Sequence, residues 1–301
     1  MSAATVDGSG RRPGAAGPMW RRGPGGPGAA HARARPITRA MAPRLAQRRG
    51  AGYSSAMNIL AFDTSFDACS VAVETGRAGG DRQVVSERMF MSVGHAEALI
   101  PMIGRVCAAS GIGIADLDRI AVTHGPGTFT GVRIGVAAAR ALALAHGVPV
   151  VAFSSLLPLC MAAVHRIPDC VEDRDAVLVA RDARREECYV EVVETHGRSL
   201  TGPLISSPAE AAALCPEYRL FATGSAAEAV ARAGRAAGRP IAVDHAGSTS
   251  AEASEIDARW LLGFAHAASP LLSPPRPLYL RPPDARPQAG KSIARAGAAG
   301  T

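Results

Sequence analysis

Ile59-Leu-Ala-Phe-Asp63-Thr-Ser-Phe-Asp-Ala-Cys69-Ser-Val71-Ala-Val73-Glu74 is echoed, at a constant offset of 119 positions, by Leu178-Val-Ala-Arg-Asp182-Ala-Arg-Arg-Glu-Glu-Cys188-Tyr-Val190-Glu-Val192-Val193. In each copy an apolar strand ends at an aspartate, the same interval leads to a cysteine, and an alternating apolar strand follows. Alternation alone marks a strand with two unlike faces and arises by chance. A matched Asp, Cys and register together point to an internal duplication. Two β-hairpins with an Asp at each turn place equivalent acids in two homologous halves, and such halves packed face to face enclose a cleft.

Between the copies lies Thr123-His124-Gly125-Pro126-Gly127-Thr128-Phe129-Thr130-Gly131-Val132-Arg133-Ile134-Gly135. It joins an apolar run at 120–122 to an alanine-rich helix predicted over 132–145, so glycines and threonine hydroxyls occupy a strand-to-helix turn. Free N–H groups and the helix dipole hold anions at such turns. Equally, the glycines can serve only positive φ and close packing. The spacing Gly-x-Gly-x-x-x-Gly is neither the dinucleotide fingerprint nor a P-loop, and no Lys follows. The turn by itself leaves both readings open.

Around these landmarks the periodicity predicts strands at 58–62, 69–74 and 83–90, a helix over 95–109, the glycine turn with its helix, a strand at 149–153 and a helix from Ser154. After the second hairpin come a helix at 208–214, a strand at 219–223, a helix at 226–236, a strand at 241–244 and a helix at 254–268. Beyond Ser269 the chain is Pro-rich and ends in a small-residue tail that is expected to be mobile. The organisation is therefore a leader at 1–56, two α/β subdomains at 57–167 and 168–272, and a tail at 273–301.

With 48% hydrophobic residues the chain can bury a sizeable core, and no uninterrupted apolar stretch of about 18 residues suggests a membrane span. The net charge of +7 is unevenly distributed: residues 1–56 carry ten Arg and one acid, Asp7, or +9, which leaves −2 for the remainder. Basic residues in the leader are scattered among Gly, Pro and Ala without stacking aromatics, unlike a nucleic-acid surface. The leader reads as a transit peptide, a disordered tail, or a product of an upstream start codon, and the last is preferred because Met57 opens the first strand. Cys69, Cys107, Cys160, Cys170, Cys188 and Cys215 lie far apart with no Cys-x-x-Cys pair, as expected of reduced core thiols in a cytoplasmic protein.

Asp63-Thr64-Ser65, the run from Gly125 to Gly135, Asp182-Ala183-Arg184-Arg185, and Pro277-Leu278-Tyr279-Leu280-Arg281-Pro282-Pro283-Asp284-Ala285 together resemble the TsaB (YeaZ) family, in unbroken order from Met57 to about Pro287. The resemblance implies an actin, Hsp70 and sugar-kinase type (ASKHA) fold: two duplicated α/β halves, the second reduced. It also implies a non-catalytic subunit of the bacterial machinery that makes N6-threonylcarbamoyladenosine at position 37 of tRNA. Such a subunit binds and supports its paralogue TsaD, the transferase, works with the ATPase TsaE, and forms a homodimer when alone. It would reach tRNA only through the complex, and it has no membrane role. No cofactor of its own is implied beyond weak adenine-nucleotide binding, while the complex uses ATP and a metal held by TsaD.

On that basis no residue is assigned to catalysis or to metal. A degenerate nucleotide cleft is expected at Asp63, Thr64, Gly125, Gly127, Thr128, Thr130, Gly131 and Asp182. In TsaD a His-x-x-x-His motif follows the strand after the glycine run; aligning 148–151 with that strand puts Ser155 and Leu159 at the histidine positions, and none of the eight histidines has a partner four residues away. Arg184 and Arg185 are expected to pair with Asp182. His95 is a catalytic candidate by its place near Glu97 and, more simply, a residue packing at a helix start. The helix over 132–145 is apolar on nearly every side, so its outer face needs a cover. The helix over 95–109 supplies part of it, and either the chain's second half or a partner supplies the rest. The family resemblance favours a partner interface at His95, Leu99, Met102, Val132, Gly135, Ala139 and Leu142, with Ala139→Arg expected to abolish TsaD binding without unfolding the chain. An ATP-dependent phospho- or carbamoyltransferase of the same fold is the alternative. A peptidase lacks a visible nucleophile–base pair.

Overall fold

Both copies of the repeat are hairpins: β1 (Ile59–Asp63) with β2 (Ala68–Gly76), and β6 (Asp175–Asp182) with β7 (Cys188–Glu194). The computed structural model describes residues 57–76, 82–170 and 172–281. The leader, residues 77–81, Val171 and residues 282–301, with the Pro282 to Ala285 end of the C-terminal motif, lie outside the described residues. The hairpins differ in register by one residue, since Asp63 faces Ser70 whereas Asp182 faces Cys188. The tighter second turn runs through three consecutive left-handed residues, Arg184, Arg185 and Glu186 (φ 64°, 58° and 61°). Left-handed backbone costs a non-glycine residue roughly 1 kcal/mol or more.

Each hairpin seeds a five-stranded sheet. The first, with β3 (Arg82–Phe90), β4 (Arg119–Thr123) and β5 (Val150–Phe153), is ordered β3-β2-β1-β4-β5. The second, with β8 (Leu204–Ser206), β9 (Arg219–Thr223) and β10 (Ala242–Val243), is ordered β10-β9-β6-β7-β8, the same order read from the other edge. In both, the three strands from the hairpin edge are antiparallel and the last two join in parallel. The second copy is reduced, with edge strands of three and two residues against nine and four in the first.

Alternation along β1 and β6 sorts the core. Leu60, Phe62, Val71 and Val73 face α1 (His95–Ala109) and α2 (Phe129–His146), whereas Ile59, Ala61 and Ala72 face Leu261, Leu262 and Ala265 of α8 (Arg259–Ala267). In the second sheet, Leu178, Ala180 and Val190 face α4 (Pro208–Ala213) and α5 (Ala227–Ala236), whereas Val177, Val179 and Val193 face Leu159, Cys160 and Ala163 of α3 (Leu157–Arg166). Strands covered on both faces read as nearly continuous apolar runs. The inner helices are exchanged: α3, from the first copy, lies on the second sheet, and α8, from the second, lies on the first.

The helix predicted over 254–268 begins only at Arg259, because α6 (His245–Thr249) and α7 (Ala251–Ser254) precede an extended Glu255-Ile256-Asp257. That segment joins the halves. Arg181 Nη2 donates to Glu255 Oε1 at 2.7 Å, with both side chains buried, and Asp67 N donates to Glu255 Oε2 at 3.1 Å. The Arg181 guanidinium lies 4.3 Å from the Phe66 ring centroid. β8, a three-residue strand, is too short for the period to reveal.

Candidate functional site

The glycine turn folds onto the first hairpin. Thr128 is the N-cap of α2 and accepts from Gly131 N at 3.1 Å, while its own N–H donates to Ser65 O at 2.8 Å. Thr64 Oγ1 donates to Gly131 O at 2.7 Å. A Cβ on Gly127 would strike Ser65 O, one on Gly131 would strike Thr64 O, and one on Gly125 (φ 113°) would lie 2.6 Å from Leu278 O. Asp63, Thr64, Gly125, Gly127, Thr128 and Gly131 are thus brought together, and the glycines are needed for close backbone approach within the chain. Thr130 is exposed on the first turn of α2.

Asp63 is 1% exposed; Thr123 Oγ1 donates to its Oδ1, and Ser65 N donates to Oδ2 at 3.1 Å. Burial pushes this carboxyl up to about 6, against the pull of the Thr123 and Ser65 hydrogen bonds. A carboxyl that binds its proton more tightly when folded stabilises the protein below its unfolded value of 3.8, and that contribution is lost as pH rises through about 6. The loss is on the order of 3 kcal/mol. From about pH 4 to about pH 7 the melting temperature of wild type is expected to fall relative to that of Asp63→Asn, because only wild type carries this slope; parallel profiles would remove the assignment.

Asp182 does not join the cluster. It is exposed on the second hairpin, where its Oδ1 accepts from the backbone N–H of Arg184 at 2.8 Å. The contact expected from the Arg184 guanidinium is thus made by that residue's amide. The two repeat acids therefore differ in environment, one buried and one solvated.

The Pro-rich segment after α8 spans the two halves. Leu271 N donates to Val150 O at 2.9 Å, Leu278 N to His124 O at 2.7 Å, and Arg281 Nη1 to Ala183 O at 3.0 Å, with Arg281 also paired to Glu187. Residues 271–281 form a strap from the edge of β5, past Gly125, to the second hairpin. The legible signal was the alternation Leu278, Tyr279, Leu280, Arg281. Sequence reasoning also missed Glu191, buried on β7, which accepts from Ser154 Oγ at 2.5 Å and Ser199 Oγ at 2.7 Å, and whose carboxyl burial pushes up.

Ser155 and Leu159, at the aligned histidine positions, are both buried; Ser155 Oγ donates to Pro126 O, and Leu159 packs in the core between α3 and the second sheet. Among the described residues no group of three or more His, Cys, Asp or Glu is placed to hold a metal ion. Burial raises the thiols, to about 12 at Cys69 and Cys170 and about 11 at Cys188, which leaves them protonated and non-nucleophilic.

The expected interface residues require correction. Leu99, Met102, Val132, Ala139 and Leu142 are buried within the first half, and Gly135 lies against Thr64. His95 is buried with Nε2 2.9 Å from Phe66 O, the simpler of its two readings. None of these side chains is available to a partner, and Ala139→Arg would force a guanidinium into the core rather than test docking. The available face lies opposite. Ile100 on α1 is 49% exposed and Leu144 on α2 is 89% exposed, and Ala137, Ala141 and Ala145 on α2 are exposed too. Phe129 and Tyr279 stack at 5.3 Å, so the strap covers the N-terminal part of α2.

Two sheets of one strand order, exchanged inner helices and a glycine turn packed on the first hairpin define a class: duplicated two-lobed α/β proteins of the actin, Hsp70 and sugar-kinase type. The family model described as TsaD, tRNA N6-adenosine threonylcarbamoyltransferase, matches residues 89–260, and the tRNA threonylcarbamoyladenosine biosynthesis protein TsaB of Haemophilus influenzae is 35% identical over 133 residues, 44% of this chain and 52% of that protein. An uncharacterized protein of Mycobacterium tuberculosis is 32% identical over 242 residues, covering 77% of this chain and 95% of that one, and the structure of YeaZ from Pseudomonas aeruginosa superposes with a TM-score of 0.57 at 29% identity over 69% of this chain and 90% of that one. The chain belongs to the TsaB (YeaZ) family. It spans about half the length of the TsaB relatives it matches, 52% and 53% for those of Haemophilus influenzae and Escherichia coli.

Proposed function

We propose that this chain is a docking subunit for tRNA threonylcarbamoyladenosine synthesis, which binds the threonylcarbamoyltransferase through the outer face of α1 and α2 and performs no step of the transfer itself. Family membership supports the pathway. The observation that carries the docking role is the exposure of Ile100 and Leu144 on the outer faces of α1 and α2. A helix apolar on most of its circumference is stable when that surface is buried, and the strap, through Tyr279, covers the start of α2.

The close fit at Gly127 and Gly131 supports a nucleotide cleft that has degenerated into a packing contact. ATP use and metal belong, on this reading, to the transferase and to the ATPase of the complex. The chain contacts tRNA only through its partner, self-associates by the same face when alone, and works in the cytoplasm. The test is affinity purification of the tagged chain from its native host, scored for the transferase. Recovery of the transferase with wild type and its loss with Leu144→Asp is the expected result. Turnover of ATP by the pure, isolated chain would favour the phosphotransferase alternative instead.

A further inference from the structure

We propose that the hollow between α2 and the C-terminal strap receives a carboxylate of the partner subunit, clamped by the guanidiniums of Arg133 and Arg140. This rests on the docking role proposed above, and it adds what sets the register of docking. The hollow, about 330 Å³, is lined by Arg133, Val136, Ala137, Arg140 and Pro277. Arg133 and Arg140 are seven residues apart on α2, two turns along one face, about 10 Å of rise. Both side chains line the same space.

Arg133 is held in place before any ligand arrives. Its Nε donates to Tyr279 Oη at 2.5 Å, and its Cζ lies 3.5 Å from the Phe129 ring centroid and 5.6 Å from that of Tyr279. One of five guanidinium donors is thereby used, which leaves the Nη groups for a planar acceptor. No carboxylate among the described residues pairs with Arg133 or Arg140, whereas Arg105, Arg166, Arg181, Arg198, Arg219, Arg259 and Arg281 each have one. Val136, Ala137 and Pro277 give the hollow apolar walls, and Leu144, 89% exposed, continues the apolar face one turn beyond Arg140. A carboxylate carried on a protein helix fits that mixture. A nucleic-acid backbone does not, because the chain outside residues 1–56 sums to −2. Tyr279 is a positioning residue, and through it the strap becomes part of the docking surface.

The test is the affinity of the purified chain for its cognate transferase, measured calorimetrically at low and at high salt. Arg133→Glu and Arg140→Glu are each expected to weaken binding by about tenfold or more, and the double variant further, with a shallower salt dependence. Melting temperatures are expected to hold because both side chains are exposed. Tyr279→Phe, which keeps the ring and removes the hydroxyl, is expected to weaken binding several-fold, and Arg133→Lys not to restore it. If Leu144→Asp abolishes binding while the double Arg variant binds as wild type, docking survives and the clamp is overturned. If neither variant weakens binding, the docking role falls and the clamp with it. Arg133-dependent binding of AMP or inorganic phosphate to the chain alone, with transferase affinity unaffected by that ligand, would overturn the clamp in favour of a phosphate site.

Discussion

Gly131→Ala is expected to destabilise the chain by about 3 kcal/mol or more, even though the position is helical and alanine is the better helix former. Propensity alone predicts a gain of roughly 1 kcal/mol for that exchange. The close approach reverses the sign. An added Cβ would collide with the Thr64 carbonyl oxygen and lie 2.6 Å from Thr128 Oγ1, which is the cap of α2. The Thr64 carbonyl is backbone at the buried end of the first hairpin, beside Asp63, so neither side can yield without separating β1 from α2. Gly104→Ala is the control. It is also helical, in α1, nothing lies within 4 Å of its added Cβ, and it is expected to stabilise by about 0.5 to 1 kcal/mol. Equal effects in urea unfolding would show that the glycine turn is not held by contact with the hairpin.

Leu144→Asp and Ile100→Asp are expected to weaken transferase binding by about a hundredfold or more while leaving unfolding unchanged. Leu144 is 89% exposed and Ile100 49%, so in the free chain a carboxylate at either place stays in water. In the complex it would be stranded on an apolar contact, with a penalty of several kcal/mol unless it is paired. Placing the change on this face, rather than at Ala139, separates docking from folding. Ala139 is wholly buried against the first sheet. Binding by calorimetry and melting by circular dichroism, on the same samples, decide between the two.

The repeat at constant offset made the fold legible because two properties of strands survive in one dimension. Alternation sorts Leu60 and Phe62 from Ile59 and Ala61, and the repeated Asp marks where the first strand of each hairpin ends, although the same Asp to Cys interval gives turns that differ by one residue. The α1 bounds, 95–109, were legible from the helical period ending at Gly111. The exchange of α3 and α8 between sheets was not, since periodicity says that a face is apolar but not which sheet covers it. The same blindness misplaced the interface: Leu99, Met102 and Ala139 have the composition of a contact surface and are one, but with the chain's own first sheet. At the site, the glycines signalled a demand for space without naming the neighbour, which is Ser65, Thr64 or Leu278 in the three cases. The strap has little period to read, since its prolines interrupt any regular pattern, and only the bonds from Leu271, Leu278 and Arg281 show where it runs.

The most direct test of the docking account is reconstituted formation of threonylcarbamoyladenosine on tRNA, with purified transferase and its supporting enzymes, as a function of added chain. Wild type and Asp63→Asn are both expected to support modification, Leu144→Asp to fail, and the chain without the transferase to give no product. Product formed by the chain in the absence of the transferase, or full support by Leu144→Asp, would contradict it.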